Sequence, residues 1–90
     1  MMIRNKDFEI VTVAGESMAV PVGEEATTFH GVVTLSDSAA FMLNLLDEEK
    51  TFDEIVDSFL EEYDIDRATV EEDIKGILPK LIELKLILDS

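Results

Sequence analysis

The chain lacks the residues on which several functional classes depend. It contains no cysteine, which excludes a disulfide framework, a thiolate nucleophile and a cysteine-ligated metal site. Seven basic residues stand against 21 acidic ones, and the formal charge of −14 would repel nucleic acid or an anionic membrane surface. The opening stretch "MMIRNKDFEI" lacks the apolar run of a signal peptide, and no continuous stretch approaches the ~20 apolar residues that a membrane span needs. These absences predict a cytoplasmic protein without nucleic-acid or membrane partners.

The residues that are present predict a folded domain. Hydrophobic residues make up 47% of a 90-residue chain, which suits one small domain with one core and argues against disorder. We therefore expect a single domain over residues 1–90. The acidic residues are concentrated late, because residues 36–90 carry 16 acidic and five basic side chains.

The segment before Ser36 has the pattern of β-strands. The stretch "FEIVTVAG", from Phe8, is rich in β-branched residues and is followed by a possible tight turn at Gly15-Glu16 and by "SMAVPV". Pro21 has no N–H to donate, so its strand should end there or pair on one side only. "HGVVTL", residues 30–35, is the third candidate strand. The spacing predicts a three-stranded antiparallel meander within residues 8–35.

The segment from Ser36 onward has the 3.6-residue period of helices. Ser36, Thr51 and Asp66 are suitable N-caps, and Glu54 completes a capping box with Thr51. We expect three helices within residues 37–85 and a short extended tail at "KLIL". Pro79 predicts a kink or an early stop in the third helix. The apolar face of the middle helix is predicted to be buried at Phe52, Ile55, Val56, Phe59 and Leu60.

No catalytic or metal-binding pattern emerges from the polar residues. Asp64 and Asp66 fit the start of a calcium loop, but Lys75 stands where the bidentate glutamate should be. His30 is the sole histidine, and no nucleophile elbow or glycine-rich oxyanion loop accompanies it. The carboxylates fall on the solvent faces of amphipathic helices. We therefore expect a protein that is not an enzyme and that holds no cofactor.

The stretch "TFDEIVDSFLEEYDIDRATVEEDI", residues 51–74, has the outline of a helix-turn-helix. A DNA-reading helix would present basic or amide side chains at its start, whereas this one presents Glu71, Glu72 and Asp73. DNA binding is therefore disfavoured. The other use of such a domain is peptide capture, in which a guest strand adds to an exposed sheet edge beside a helix.

The ordered motifs from residue 13 to residue 87 resemble the PqqD-like proteins. The chain shows a strand-like "VPVG", then "GVVTLSDSAAFMLNLLDEEKT", similar to the strand, L-[NS]-x-[ST]-[AG]-A segment, helix and acidic turn of that family. It continues with T-x-x-E-I-V-x-x-[FL]-x-x-E-Y-D-[IV]-D and with V-x-x-D-I before a leucine-rich helix that ends in "LKLI". Gly76 and Pro79 depart from the family pattern, which has ordinary helix formers there.

This resemblance implies an α+β, winged-helix-like fold with a three-stranded N-terminal antiparallel sheet followed by three helices. It implies a non-catalytic chaperone that captures the leader of a ribosomally synthesised precursor peptide by strand addition. The peptide would be presented to a modifying enzyme, a radical S-adenosylmethionine (SAM) protein or another peptide-modifying one. The alternative is a winged-helix module for protein interaction or transcriptional regulation. The resemblance implies that the peptide-binding residues are Gly31, Val32, Val33, Thr34, Leu35, Lys75, Leu78 and Ile82.

Overall fold

The computed structural model describes residues 1–23 and 31–89. Within these ranges it contains five strands and three helices, in the order β1 (Met2–Arg4), β2 (Phe8–Val13), β3 (Glu16–Pro21), β4 (Val33–Leu35), α1 (Asp37–Leu45), α2 (Phe52–Glu62), α3 (Arg67–Glu83) and β5 (Ile87–Asp89). An antiparallel sheet precedes the three helices, and this confirms the predicted fold class.

Strands β2 and β3 form a hairpin with a two-residue turn. Ala14 and Gly15 both have positive φ, 53° and 81°, which is the conformation of a type I′ turn whose twist matches that of the flanking strands. The turn lies one residue before the predicted Gly15-Glu16 position, because Val13 pairs with Glu16. Strand β4 then pairs antiparallel with β3, and the sheet order is β2-β3-β4. The predicted meander is confirmed.

Strand β4 is shorter than predicted. Gly31 has a φ of 102°, which is incompatible with an extended strand, so regular pairing begins only at Val33. The predicted start at His30 lies outside the described residues. Pro21 ends β3 and pairs with Phe8 of β2, while β4 pairs with residues 17–19 only. The strand thus ends at Pro21, as the missing N–H predicted.

The three predicted helix caps are confirmed. The Ser36 hydroxyl accepts from the Ala39 N–H at 3.1 Å, and an Asp66 carboxylate oxygen accepts from the Thr69 N–H at 3.4 Å. Thr51 and Glu54 form the reciprocal capping box, with N···O distances of 3.2 and 2.9 Å. Each cap satisfies a backbone donor that the first turn of a helix leaves without an internal partner.

Helix α3 continues through Pro79 to Glu83, so the alternative of an early stop is wrong. A proline inside a helix costs about 3 kcal/mol or more. Leu81 and Leu86 lie after the proline and are 4% and 0% exposed. Burying a leucine contributes about 1.5–3 kcal/mol, so two such residues offset the cost of continuing the helix.

A second, two-stranded sheet pairs the N-terminal and C-terminal segments. The sequence predicted only a short extended tail at the C-terminal end, and it did not predict this sheet. Strand β1 pairs antiparallel with β5, with Ile3 opposite Leu88. Lys50 extends this sheet through two backbone hydrogen bonds of 2.9 Å with Met2. Leu86 and Ile87 are nearly inaccessible, which anchors the C-terminal segment in the core.

The core lies between the two sheets and the three helices. Ile55, Val56 and Phe59 of α2 are buried as predicted, whereas Phe52 and Leu60 are half-buried at its margin. The rings of Phe41 and Phe59 meet edge to face, with centroids 4.8 Å apart. The remaining buried residues are Met2, Phe8, Ala19, Leu35, Ala39, Ala40, Met42, Leu43, Leu46, Val70, Ile74, Leu81, Leu86 and Ile87.

Candidate functional site

Strand β4 forms one edge of the three-stranded sheet. Its partner in the sheet is β3, and within residues 1–23 and 31–89 no strand pairs with its other side. The strand sequence Val-Thr-Leu contains no charge, no proline and no lysine, which are the usual protections of an exposed edge. Among the described residues, the outer backbone edge of β4 is therefore unpaired.

The register shows which backbone groups of β4 face outward. The Val22 N–H donates to the Asp7 carbonyl at 2.7 Å, so Val22, and with it every second residue of β3, points its backbone groups toward β2. The intervening residues Ser17 and Ala19 point toward β4, where they pair with Leu35 and Val33. The N–H and C=O of Thr34 consequently point to the open edge.

A groove of about 250 Å³ runs between this edge and helix α3. Val33, Thr34 and Leu35 form the strand wall, and Ala39 of α1 lies at the base. The helix wall consists of residues spaced three to four apart along one face, which are Gly76, Ile77, Lys80, Leu81 and Leu84. The lining is mostly apolar and includes one charged side chain, that of Lys80.

The groove contains some of the predicted site residues and leaves others elsewhere. Val33, Thr34 and Leu35 line it. Leu78 and Ile82 are half-buried and pack against the core, while Lys75 lies on a different, charged face of α3. Gly31 and Val32 precede β4 and are exposed, Val32 at 53%.

The helix wall of the groove was not identified from the sequence. The Val70–Ile74–Leu78 pattern marks the core-facing side of α3. The groove-facing side lies beside it around the helix axis, at roughly the angle that separates two consecutive residues. Two apolar residues lie beside the core pattern: Ile77, which is half-buried, and Leu84, which is exposed. Only these two could have indicated a second apolar face from the sequence.

At the start of α3, the Arg67 side chain is held by ion pairs within the chain. The Arg67 guanidinium lies 3.0 Å from Asp57, 3.6 Å from Asp53 and 3.2 Å from Glu71. Its hydrogen bond to Asp57 is the largest cause that raises the pKa of Arg67. The guanidinium therefore joins α3 to α2 and is engaged by carboxylates of the same chain.

A second ion-pair cluster fixes the N-terminal segment. Asp47, just after α1, accepts from Lys6 at 2.9 Å and from Arg4 at 2.7 Å. These two cations, Lys6 first, hold the pKa of Asp47 below its usual value. The cluster stands apart from the groove and has a structural use.

The described part of the chain contains neither a metal-binding cluster nor a membrane-spanning helix. No group of three or more histidine, cysteine, aspartate or glutamate side chains there is arranged to hold a metal ion. None of its helices combines the length and the apolar character needed to cross a membrane.

The fold and the groove define an α+β, winged-helix-like protein with an open strand edge beside a helix. The family model described as "Coenzyme PQQ synthesis protein D (PqqD)" matches residues 9–87. Because this match covers most of the chain, the protein belongs to the PqqD family. Comparison with curated proteins gives no match.

Two solved structures have similar folds. One, described as TbiB1 in complex with the TbiA(beta) leader peptide, has a TM-score of 0.76 and 25% sequence identity, covering 98% of this chain and 96% of that one. The other, described as lasso peptide synthetase B1 complexed with the leader peptide, has a TM-score of 0.71 and 17% identity, covering 98% of both chains. The second similarity extends to the fold alone.

Proposed function

We propose that this protein binds the leader segment of a ribosomally synthesised precursor peptide as an added strand along β4. The observation that carries the proposal is the open, uncharged β4 edge, which faces a mostly apolar groove with the backbone groups of Thr34 directed outward. Membership of the PqqD family supports it. So does the similarity to TbiB1, whose structure is described as a complex with a leader peptide.

The geometry assigns two roles to the groove. Backbone hydrogen bonds to Thr34 would hold any extended guest and supply affinity without sequence preference. Side chains of the guest alternate between the two faces of the extended sheet, so every second one would enter the groove against α3. The apolar lining at Ile77, Leu81 and Leu84 would then select among guests.

The proposed mode of action is binding and presentation, without catalysis. The captured leader would hold the rest of the precursor near a peptide-modifying enzyme, and assignment of that enzyme to the radical SAM class stays a prediction. A cytoplasmic location is part of the same proposal. DNA regulation is less well supported, because Arg67 is engaged by three carboxylates and the adjoining surface carries Glu71 and Glu72.

Substitution of Thr34 by proline tests strand addition. Thr34→Pro removes the outward N–H and leaves the hydrogen bonds between β3 and β4 in place, so the protein should stay folded and lose most of its affinity. Thr34→Val is the matched control, because it keeps the N–H and a similar shape. The measurement is fluorescence anisotropy with a labelled peptide that the original protein selects from a displayed random library, and circular dichroism reports folding.

Val33→Pro is the complementary variant, because it should affect folding instead of peptide binding. The Val33 N–H points toward Ala19 inside the sheet, so this substitution should destabilise the protein. Unchanged peptide affinity in a folded Thr34→Pro variant would rule out strand addition at β4.

A further inference from the structure

Gly76 has neither of the usual reasons for a glycine inside a helix. Its φ is in the ordinary helical range and not the left-handed one, so no turn requires it. A Cβ built at this position would meet no atom within 4 Å, so close packing within the described chain does not require it either. Glycine is nevertheless the least favourable residue in a helix interior after proline.

The position of Gly76 indicates a role in contact with a guest peptide. Gly76 lies in the helix wall of the groove opposite β4, where a guest strand would add. The absence of a side chain leaves the backbone of α3 open at this point and deepens the groove. A guest side chain placed there would contact the helix backbone directly.

Lys80 follows Gly76 by four residues and lies on the same face. Residues at this spacing are neighbours, with Cβ positions about 5–6 Å apart. Lys80 lines the groove and, within the described residues, its ammonium group forms no ion pair, which is also true of Lys50, Lys75 and Lys85. Of these four lysines, Lys80 is the one that lines the groove. Its aliphatic stem can cover an apolar guest while the charged end stays near solvent.

From these features we infer that Gly76 and Lys80 form a subsite for an aromatic side chain of the guest peptide. A planar ring fits against the bare helix backbone at Gly76, and Ile77 completes the apolar surface beneath it. The Lys80 ammonium can lie over the ring, an attraction that an aliphatic side chain would not provide. This inference rests on the proposed strand addition at β4 and specifies which guests the groove selects.

The test compares peptides selected by the full-length protein and by its variants from a displayed library of random dodecapeptides. The original protein should enrich peptides with Phe, Tyr or Trp at one fixed position. Gly76→Ala should lose that enrichment and bind the selected aromatic peptides about tenfold more weakly, because a methyl group fills the space for the ring. Lys75→Ala, next in sequence but on the charged face, is the matched control and should retain it.

A stability measurement separates this role from a structural one. Gly76→Ala should raise the Tm by about 4 °C, because alanine favours the helix and its Cβ meets no neighbour. Stability and affinity should therefore change in opposite directions. Lys80→Gln should reduce the preference for an aromatic peptide over its leucine-substituted form while the Tm stays nearly constant.

Tryptophan provides a direct reading of the subsite. The chain contains no tryptophan, so the fluorescence of a Trp-containing selected peptide reports on the guest alone. A blue shift on binding is expected, and it should be smaller with Gly76→Ala. Equal enrichment of aromatic residues by the original protein and by Gly76→Ala, with unchanged affinities, would overturn the inference.

The failure of this subsite can be told apart from failure of strand addition. If selected peptides lose affinity for Thr34→Pro but not for Gly76→Ala or Lys80→Gln, strand addition holds and the aromatic subsite is wrong. If they bind Thr34→Pro as well as the original protein, strand addition at β4 is wrong and the subsite falls with it.

Discussion

Helix α3 has two concave surfaces that differ in size and in chemistry. The larger, about 600 Å³, lies over its first turns and is lined by Arg67, Ala68, Glu71, Glu72 and Lys75. The smaller is the groove of about 250 Å³ beside β4. In the larger surface the guanidinium is already engaged by carboxylates of the same chain. In the groove, the N–H and C=O of Thr34 point to the open edge of β4 beside a mostly apolar lining, and for this reason we propose the groove and not the larger surface as the binding site.

The largest expected effect comes from the side of α3 that faces neither surface. Ile74 is fully buried, and Ile74→Ala should lower the free energy of unfolding by about 2–5 kcal/mol, because it removes apolar contacts and leaves a cavity. Urea denaturation followed by circular dichroism measures this loss. An unchanged midpoint would mean that α3 does not pack on the core through this face.

Ile77→Ala should distinguish a role in peptide binding from a role in core stability. Ile77 is half-buried and lines the groove, so its truncation should cost less stability than Ile74→Ala but should weaken peptide binding. The expected loss of affinity is about fivefold to thirtyfold, corresponding to about 1–2 kcal/mol of lost apolar contact. Anisotropy titration with the same labelled, library-selected peptide measures it. Full affinity would remove Ile77 from the binding surface.

Asp66→Ala should lower the Tm by about 5 °C, because it removes the N-cap of α3. Asp66→Asn should keep much of the cap, since the amide oxygen can still accept from Thr69. Neither variant should change peptide affinity, because the cap lies away from the groove. A fall in affinity with an unchanged Tm would contradict this assignment.

Comparison of the original protein with Asp66→Asn tests how the stability depends on pH. Hydrogen bonds from the Thr69 side chain and then from its backbone N–H hold the pKa of Asp66 below its usual value. A lowered pKa in the folded state stabilises the fold above the unfolded-state pKa, and this contribution disappears as pH falls through the folded-state value. The Tm advantage of the original protein over Asp66→Asn should therefore be present at neutral pH and vanish in acid. Thermal scans across that range measure it.

The smallest effect is expected on the charged surface. Arg67→Gln removes exposed ion pairs to Asp53, Asp57 and Glu71, and such pairs contribute little and are screened by salt. The Tm should fall by no more than about 4 °C at low salt, and this difference should shrink at high salt. Peptide affinity measured at high salt should stay unchanged. A large loss of affinity there would transfer the site from the groove to this surface.

Local chemistry allowed much of the secondary structure to be predicted from sequence. Ser36, Thr51 with Glu54, and Asp66 each cap a helix within four residues of themselves, so their effect does not depend on the rest of the fold. The alternation of apolar residues before Ser36 likewise predicted the strands. The resemblance to the PqqD family, carried by the order of these motifs, is confirmed by the match over residues 9–87.

The helix wall of the groove depends on how α3 is rotated against the sheet. Val70, Ile74 and Leu81 lie in the core, and sequence periodicity could not show that the adjacent face at Ile77 and Leu84 would lie beside β4. That rotation is fixed by packing contacts with residues distant in sequence. Leu78 and Ile82, predicted to line the groove, consequently lie against the core.

By itself the sequence determined the elements whose causes are local: the caps, the hairpin within one residue of its turn, and the amphipathic helices. Only the tertiary structure decided the non-local features. Three-residue strands such as β1 and β5 are too short to show a period, and they pair because the core brings the chain ends together. The outward direction of the Thr34 backbone was decided in the same way, since it follows from the pairing of β4 with β3 and not from the identity of Thr34.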